Sequence, residues 1–231
     1  VATVGWVTSI VQQAEASQKR INEFLNTKSS ITSSDENNIT IDGEIKFKNI
    51  EFTYPETFIK ACKNISFSLK KGDSLAIMGD IGSGKSTILE LLCRIYDPSK
   101  GEIFIDNINI KKINIKELRN SIGYVPQSTF LFSETIEKNI KFGNENVNKN
   151  ELENAAINAC LSDDINLFKD GYKTLLGERG VNLSGGQKQR LAIARAIIKK
   201  PKILLLDDSL SAVDTETEEK ILSNINKVSR D

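Results

Sequence analysis

Apolar positions keep a helical period at the start of the chain and a strand period further on. From Val1 to about Asn26, Val7, Ile10, Val11, Ala14, Ile21, Phe24 and Leu25 recur at roughly helical spacing, which predicts one long helix that turns polar towards its end. The stretch TKSSITSSDENN that follows is Ser-, Thr- and Asn-rich with little to bury, and reads as a linker. Alternation in IKFKNIEFTY (45–54) predicts a strand. NISFSLKKGDSLAIMG predicts two more around a turn at Lys71-Gly72-Asp73, the second over 74–78. Beyond Gly79, predicted strands over 102–106, 121–125 and 202–207 alternate with predicted helices over 85–96, 115–120, 151–160, 185–200 and 215–228. Alternation around short, fully apolar strands such as ILLL indicates an α/β core with a partly parallel sheet. The region 133–173 is mostly helical and predicts an α-helical subdomain.

Composition narrows the chemistry. Lys and Arg total 31 against 31 Asp and Glu, so the chain lacks the basic excess of a nucleic-acid binder. It contains no histidine, which excludes Ser-His-Asp systems, histidine zinc sites and histidine proton switches. Cys62, Cys93 and Cys160 are too scattered for a metal pair and read as small core residues of a reducing compartment. No run of about 18 apolar residues is present, so nothing here is expected to span a membrane. The pairs Lys111-Lys112 and Lys199-Lys200 and the acidic run 216–219 are read as solvated faces.

Two patterns carry chemistry. Gly79-Asp80-Ile81-Gly82-Ser83-Gly84-Lys85-Ser86-Thr87 fits G-x-x-x-x-G-K-[ST], between a predicted strand and a predicted helix. Its glycines let main-chain N–H groups surround a phosphate chain at a helix N-terminus. Lys85 is then placed to reach the β- and γ-phosphates, and the Ser86 hydroxyl to ligate Mg²⁺. The apolar run 203–206 ends in Asp207-Asp208, and a strand buried on both faces delivers Asp207 at its carboxyl end, as a second holder of Mg²⁺. Leu183-Ser184-Gly185-Gly186-Gln187 opens the next predicted helix with a hydroxyl and bare N–H groups, a second anion site.

With these residues in this order, the chain resembles the nucleotide-binding domain of ATP-binding cassette (ABC) transporters, whose signature is LSGGQ ahead of the acidic strand. The resemblance covers essentially the whole chain. It implies a P-loop core with a mixed sheet, an antiparallel β subdomain and an α-helical subdomain. It implies that Ser184, Gly185, Gly186 and Gln187 face the ATP held by a second such domain. Tyr54 in FTYP is similar to the aromatic that stacks on adenine. Gln127 in YVPQ is similar to the glutamine that contacts Mg²⁺ or attacking water, and Ser211-Ala212-Val213-Asp214 to the loop joining the two sites. Gly177-Glu178-Arg179-Gly180 and FLFSETIEKNI (130–140) resemble exporter segments. The resemblance therefore implies residues 1–38 as the end of a last membrane helix and its linker, after an upstream transmembrane domain, and 39–231 as the nucleotide-binding domain. It also implies a place at the cytoplasmic face of the cell membrane. A packing helix in a soluble protein is the alternative for the N-terminus.

The chain departs from the family at Asp208, where catalytically strong sites carry glutamate. Aspartate is one methylene shorter, which withdraws the carboxylate by about 1 Å and costs on the order of 10²-fold in rate. The expectation is an ATPase, weak at its own site, in the degenerate half of a heterodimeric exporter; Asp208, Gln127 and Lys85 are its candidate catalytic residues. Ordinary turnover with a water bridging the gap at Asp208 is the plainer alternative. Others are a mainly regulatory nucleotide-binding half and a soluble ABC ATPase of DNA repair or translation. Neutral charge, the GERG loop and the N-terminal helix argue against the last. The family also has a histidine well beyond the 211–214 loop. Only 17 residues follow Asp214, so a C-terminally truncated domain is expected.

Overall fold

A computed structural model describes residues 2–33 and 39–228, in two compact units divided between Thr32 and Ser33. The first unit is helix α1 (Ala2–Asn26), with Trp6, Val7, Ile10, Val11, Ile21, Phe24 and Leu25 exposed. No helix of the described residues is long and apolar enough to cross a membrane. The expected linker lies partly at 27–33, which is irregular, and partly outside the described residues.

In the second unit, β1 (Ile45–Thr53) pairs antiparallel with β2 (Lys60–Leu69) on one side and β3 (Lys100–Ile105) on the other, and β3 pairs with β4 (Ile108–Asn109). Left-handed Asp106 and Asn107 make the tight turn between β3 and β4. The Asp106 carboxylate accepts from the N–H groups of Asp42, Gly43 and Glu44, which fixes the chain's entry to β1.

The helix α2 (Lys85–Leu92) follows the glycine loop, and α3 (Ile115–Ser121) precedes β5 (Ile122–Val125). Helices α4 (Ile136–Lys141), α5 (Lys149–Asn158) and α6 (Ser162–Leu167) form the helical region. Then come α7 (Gly185–Ile197), β6 (Ile203–Leu206) and α8 (Thr215–Val228). β5 and β6 pair in parallel, Ile122 opposite Ile203 through Val125 opposite Leu206. This ladder lies between two cores. Ile122, Ile203 and Leu205 join the core of the antiparallel sheet with α2 and α3, whereas Val125, Leu204 and Leu206 pack with the helical core of α4 to α8. Burial on both faces explains why every residue of β6 is apolar.

Several sequence expectations need correction. Residues 74–78 adopt no regular structure, and Leu75 and Met78 are exposed. An apolar run becomes a strand only with a ladder partner, and no strand pairs with it among the described residues. The helix predicted over 85–96 ends at Leu92 and that over 185–200 at Ile197, because Arg94 and Lys200 turn left-handed and Pro201 follows. Lys199 is not solvated: its ammonium donates to the carbonyls of Arg119 and Ile122. Of the cysteines, Cys62 and Cys93 are core residues and Cys160 is half-buried.

One buried polar knot holds the helical region to α7. Asn139 is fully buried; its Nδ2 donates to the carbonyls of Phe132 and Thr135, and its Oδ1 accepts from Phe132 N and Arg195 Nη2. Arg195 also donates to the carbonyls of Phe130 and Asn139. Burial pushes its guanidinium down to about 10, so it stays charged at neutral pH. Asn139→Leu strands these partners without water, and urea denaturation should show a loss of about 2–4 kcal/mol. A loss under about 0.5 kcal/mol would contradict the assignment.

Candidate functional site

The glycine loop 79–84 precedes α2, whose N-cap Gly84 has φ +91°, a backbone region that favours glycine. A side chain at Gly84 would also run into the carbonyl of Ala61, 2.5 Å from its Cβ. Ile81 stands fully exposed at the loop tip, beside Asp80, Gly82 and Ser83, and Ser83 N closes a turn on the Asp80 carbonyl. The Lys85 ammonium curls back to the carbonyls of Gly79 at 2.7 Å and Asp80 at 2.9 Å. It lies along the loop's rim, where anionic oxygens would exchange for those carbonyls. The first N–H groups of α2 have no intrahelical partner and add the positive end of its dipole.

Two sequence-distant groups meet beneath this loop. Ser86 Oγ donates to Asp207 Oδ1 at 3.0 Å, and the Tyr124 hydroxyl lies 3.4 Å from Asp207 Oδ2. Burial, and then the neighbouring Asp207 charge, hold the Tyr124 phenol well above the ordinary range, so it stays protonated as a donor. Asp207 is only 7 % exposed and forms no ion pair among the described residues. A buried carboxylate with hydroxyl partners alone fits a counter-cation. The described residues hold no cluster of three or more histidine, cysteine or acidic side chains. One carboxylate and one hydroxyl suit Mg²⁺, which takes few protein ligands and completes its shell with phosphate oxygens and water. Gln127, at the end of β5, donates through Nε2 to Asp208 Oδ2 at 3.2 Å. Asp208 is exposed and left-handed, with φ 48°, so the chain turns sharply after Asp207 and sends the two carboxylates to different partners.

Tyr54 packs edge-to-face on both Phe52 and Tyr96, and its hydroxyl is 2.8 Å from Thr87 Oγ1 and 3.2 Å from Glu90 Oε2. Burial raises its phenol, too. Thr87 is buried and its hydroxyl is engaged by Tyr54.

The residues expected from the sequence to form a second anion site begin α7. Ser184 and Gln187 form a capping box: Ser184 Oγ accepts from Gln187 N and Gln187 Oε1 from Ser184 N. The remaining Gln187 amide donates to Asp164 Oδ1 at 2.8 Å, and Asp164 Oδ2 pairs with Arg190 at 2.8 Å. No hydrogen bond joins Ser184, Gly185, Gly186 or Gln187 to the glycine loop among the described residues. Sequence reading missed Tyr124, Glu90, Asp164 and Arg190. Tyr124 carried a signal, on the strand that leads to Gln127 three residues later; Asp164 carried none. Asp164→Ala removes the half-buried pair and should cost about 1–2 kcal/mol in denaturation while speeding amide exchange at 184–187. Unchanged exchange there would contradict the brace.

The family model described as ABC transporter matches residues 62–211. The uncharacterized ABC transporter ATP-binding protein YfiB of Bacillus subtilis is 47 % identical over 216 residues, 94 % of this chain and 38 % of that protein. The probable multidrug resistance ABC transporter ATP-binding/permease protein YheI of the same organism is 41 % identical over 223 residues, 96 % of this chain and 38 % of its own length. A structure described as a bacterial Atm1-family ABC exporter with ATP bound superposes with a TM-score of 0.89 at 36 % identity, covering 98 % of this chain and 40 % of that one. The chain thus spans about two-fifths of the length of each.

Proposed function

This chain belongs to the ABC transporter family, and from that premise we propose that it is the ATP-driven motor domain of an exporter, with a weak hydrolytic site of its own. The observation that carries the reading is the meeting of Ser86 and Asp207 at 3.0 Å, from positions 121 residues apart, beside a phosphate-binding loop.

In this reading Lys85 leaves the carbonyls of Gly79 and Asp80 for the β- and γ-phosphates of ATP, and the N–H groups of 82–87 surround the phosphate chain. Ser86 and Asp207, with Gln127 at the end of β5, would hold Mg²⁺. When bound, the ion neutralises charge on the phosphate oxygens. Tyr54 supplies the aromatic wall for the base. Ser184, Gly185 and Gly186 serve the ATP of a second nucleotide-binding domain, so that two chains close on two nucleotides and reopen after hydrolysis. A different partner chain, with the stronger site, is favoured.

The membrane-facing partner is proposed from the exposed aromatic patch. Phe130 and Phe142 are 54 % and 61 % exposed, and Phe132 packs with both beside the Arg195 guanidinium. Such a rimmed apolar patch suits docking of cytoplasmic helices of a transmembrane domain joined ahead of α1. The chain then works at the cytoplasmic face of the membrane.

The weak site follows from Asp208. Gln127 orients its carboxylate, but the side chain is one methylene short of the usual glutamate, which withdraws the base from the water. In the full-length transporter, Asp208→Glu should raise hydrolysis at the site built on Lys85 by on the order of 10²-fold. An unchanged single-turnover rate would contradict the weak-site reading.

A further inference from the structure

Behind the signature helix lies a clamp that the two nucleotide sites do not explain. Gln189, in the second turn of α7, is only 8 % exposed, yet both ends of its amide are taken by the loop after Asp208. Its Nε2 donates to Ser211 Oγ at 3.1 Å, and its Oε1 accepts from Ala212 N at 2.9 Å. Ser211 in turn donates its hydroxyl to the main-chain carbonyl of Asp208 at 2.9 Å. Asp208 is held at its other end by Gln127. One continuous set of hydrogen bonds therefore runs from the end of β5 through Asp208 and Ser211 to α7.

Steric contact adds an independent observation. A Cβ on Gly186 would stand 2.7 Å from the Ala212 carbonyl oxygen, and one on Gly185 3.3 Å from Ala212 Cβ. The two glycines that face an anion at the helix start thus also form the seat of this loop. A buried amide must be hydrogen-bonded somewhere, and here both of its ends are bonded to one loop. Two bonds to adjacent residues of one loop set both its position and its orientation.

We propose that Gln189 is a positioning residue: it clamps residues 211–213 to the start of α7, so that a nucleotide docking on Ser184 to Gly186 is felt at Asp208 of the same chain. The inference rests on the two-domain reading above. Gly185 and Gly186 transmit the displacement by contact, and Gln189 keeps the loop from sliding off that seat. Strengthened docking at α7 then fixes the Asp208 main chain, and loosened docking frees it.

The test is amide hydrogen exchange on the full-length transporter with Mg-ATP and vanadate. In the native protein, exchange at 184–187 and at 211–213 should slow together, by about ten-fold or more. Gln189→Met keeps the side-chain volume and removes both bonds. It should leave the protection at 184–187 and bring 211–213 back to within about two-fold of the nucleotide-free rate. Ser211→Ala cuts the same contact from the exposed side and should act alike. Protection of 211–213 that survives in both variants overturns the clamp, and so does its loss together with that at 184–187. No nucleotide-dependent protection at 184–187 in the native protein overturns the two-domain reading and the clamp with it.

Discussion

Four residues of β6, buried from both sides, set the geometry of everything else. Ile203 and Leu205 belong to the core shared with the antiparallel sheet, Leu204 and Leu206 to the helical core. Because the β5–β6 ladder is parallel, both strands end at the same edge, and their carboxyl ends carry Gln127, Asp207 and Asp208 within reach of one another. A one-residue slip of β6 would carry Lys202 or Asp207 into a ladder position covered on both faces, and burying an unpaired charge there costs several kcal/mol. The acidic edge is held by packing, and the hydroxyls of Ser86 and Tyr124 offset part of the cost of burying the Asp207 carboxylate.

Two functions share α7. Its capped N-terminus presents bare N–H groups outward, while its next turn grips the loop after Asp208. Glycine at 186 is demanded by the Ala212 carbonyl oxygen, 2.7 Å from where a Cβ would stand, and at 185 the Ala212 side chain leaves little more room, at 3.3 Å. Asp164 braces the same turn through Gln187 and Arg190. Small shifts at this helix start reach the acidic edge through contacts a few ångströms long, because packed elements move as units.

Much of this was legible in the residues. Glycine spacing, the acid after an apolar run and the capping serine announce themselves because few residue types meet those steric and hydrogen-bonding demands. The alternation at 45–53 and the helix start at Ser184 were equally readable, whereas the cap at Asn148 went unread and the helix expected from 151 begins at Lys149. Helix ends were not: Arg94, Cys160 and Lys200 take the left-handed turn where glycine is the recognisable stop, so the predicted helices overran. The run 74–78 has strand composition without a strand's partner, and composition holds no record of pairing. Tyr54 showed its ring in the sequence but not its hydroxyl, which Thr87 and Glu90 take from the next helix. Long-range polar partners such as Asp164 lie outside any local pattern.

On the proposed reading, the Ser86–Asp207 contact marks a single site for a nucleotide with its cation. ATP affinity of the full-length protein, measured by equilibrium binding with and without Mg²⁺, is the decisive measurement. Mg²⁺ should tighten binding by about ten-fold or more in the native protein, and Asp207→Asn should abolish that gain. Equal tightening in both proteins would contradict it.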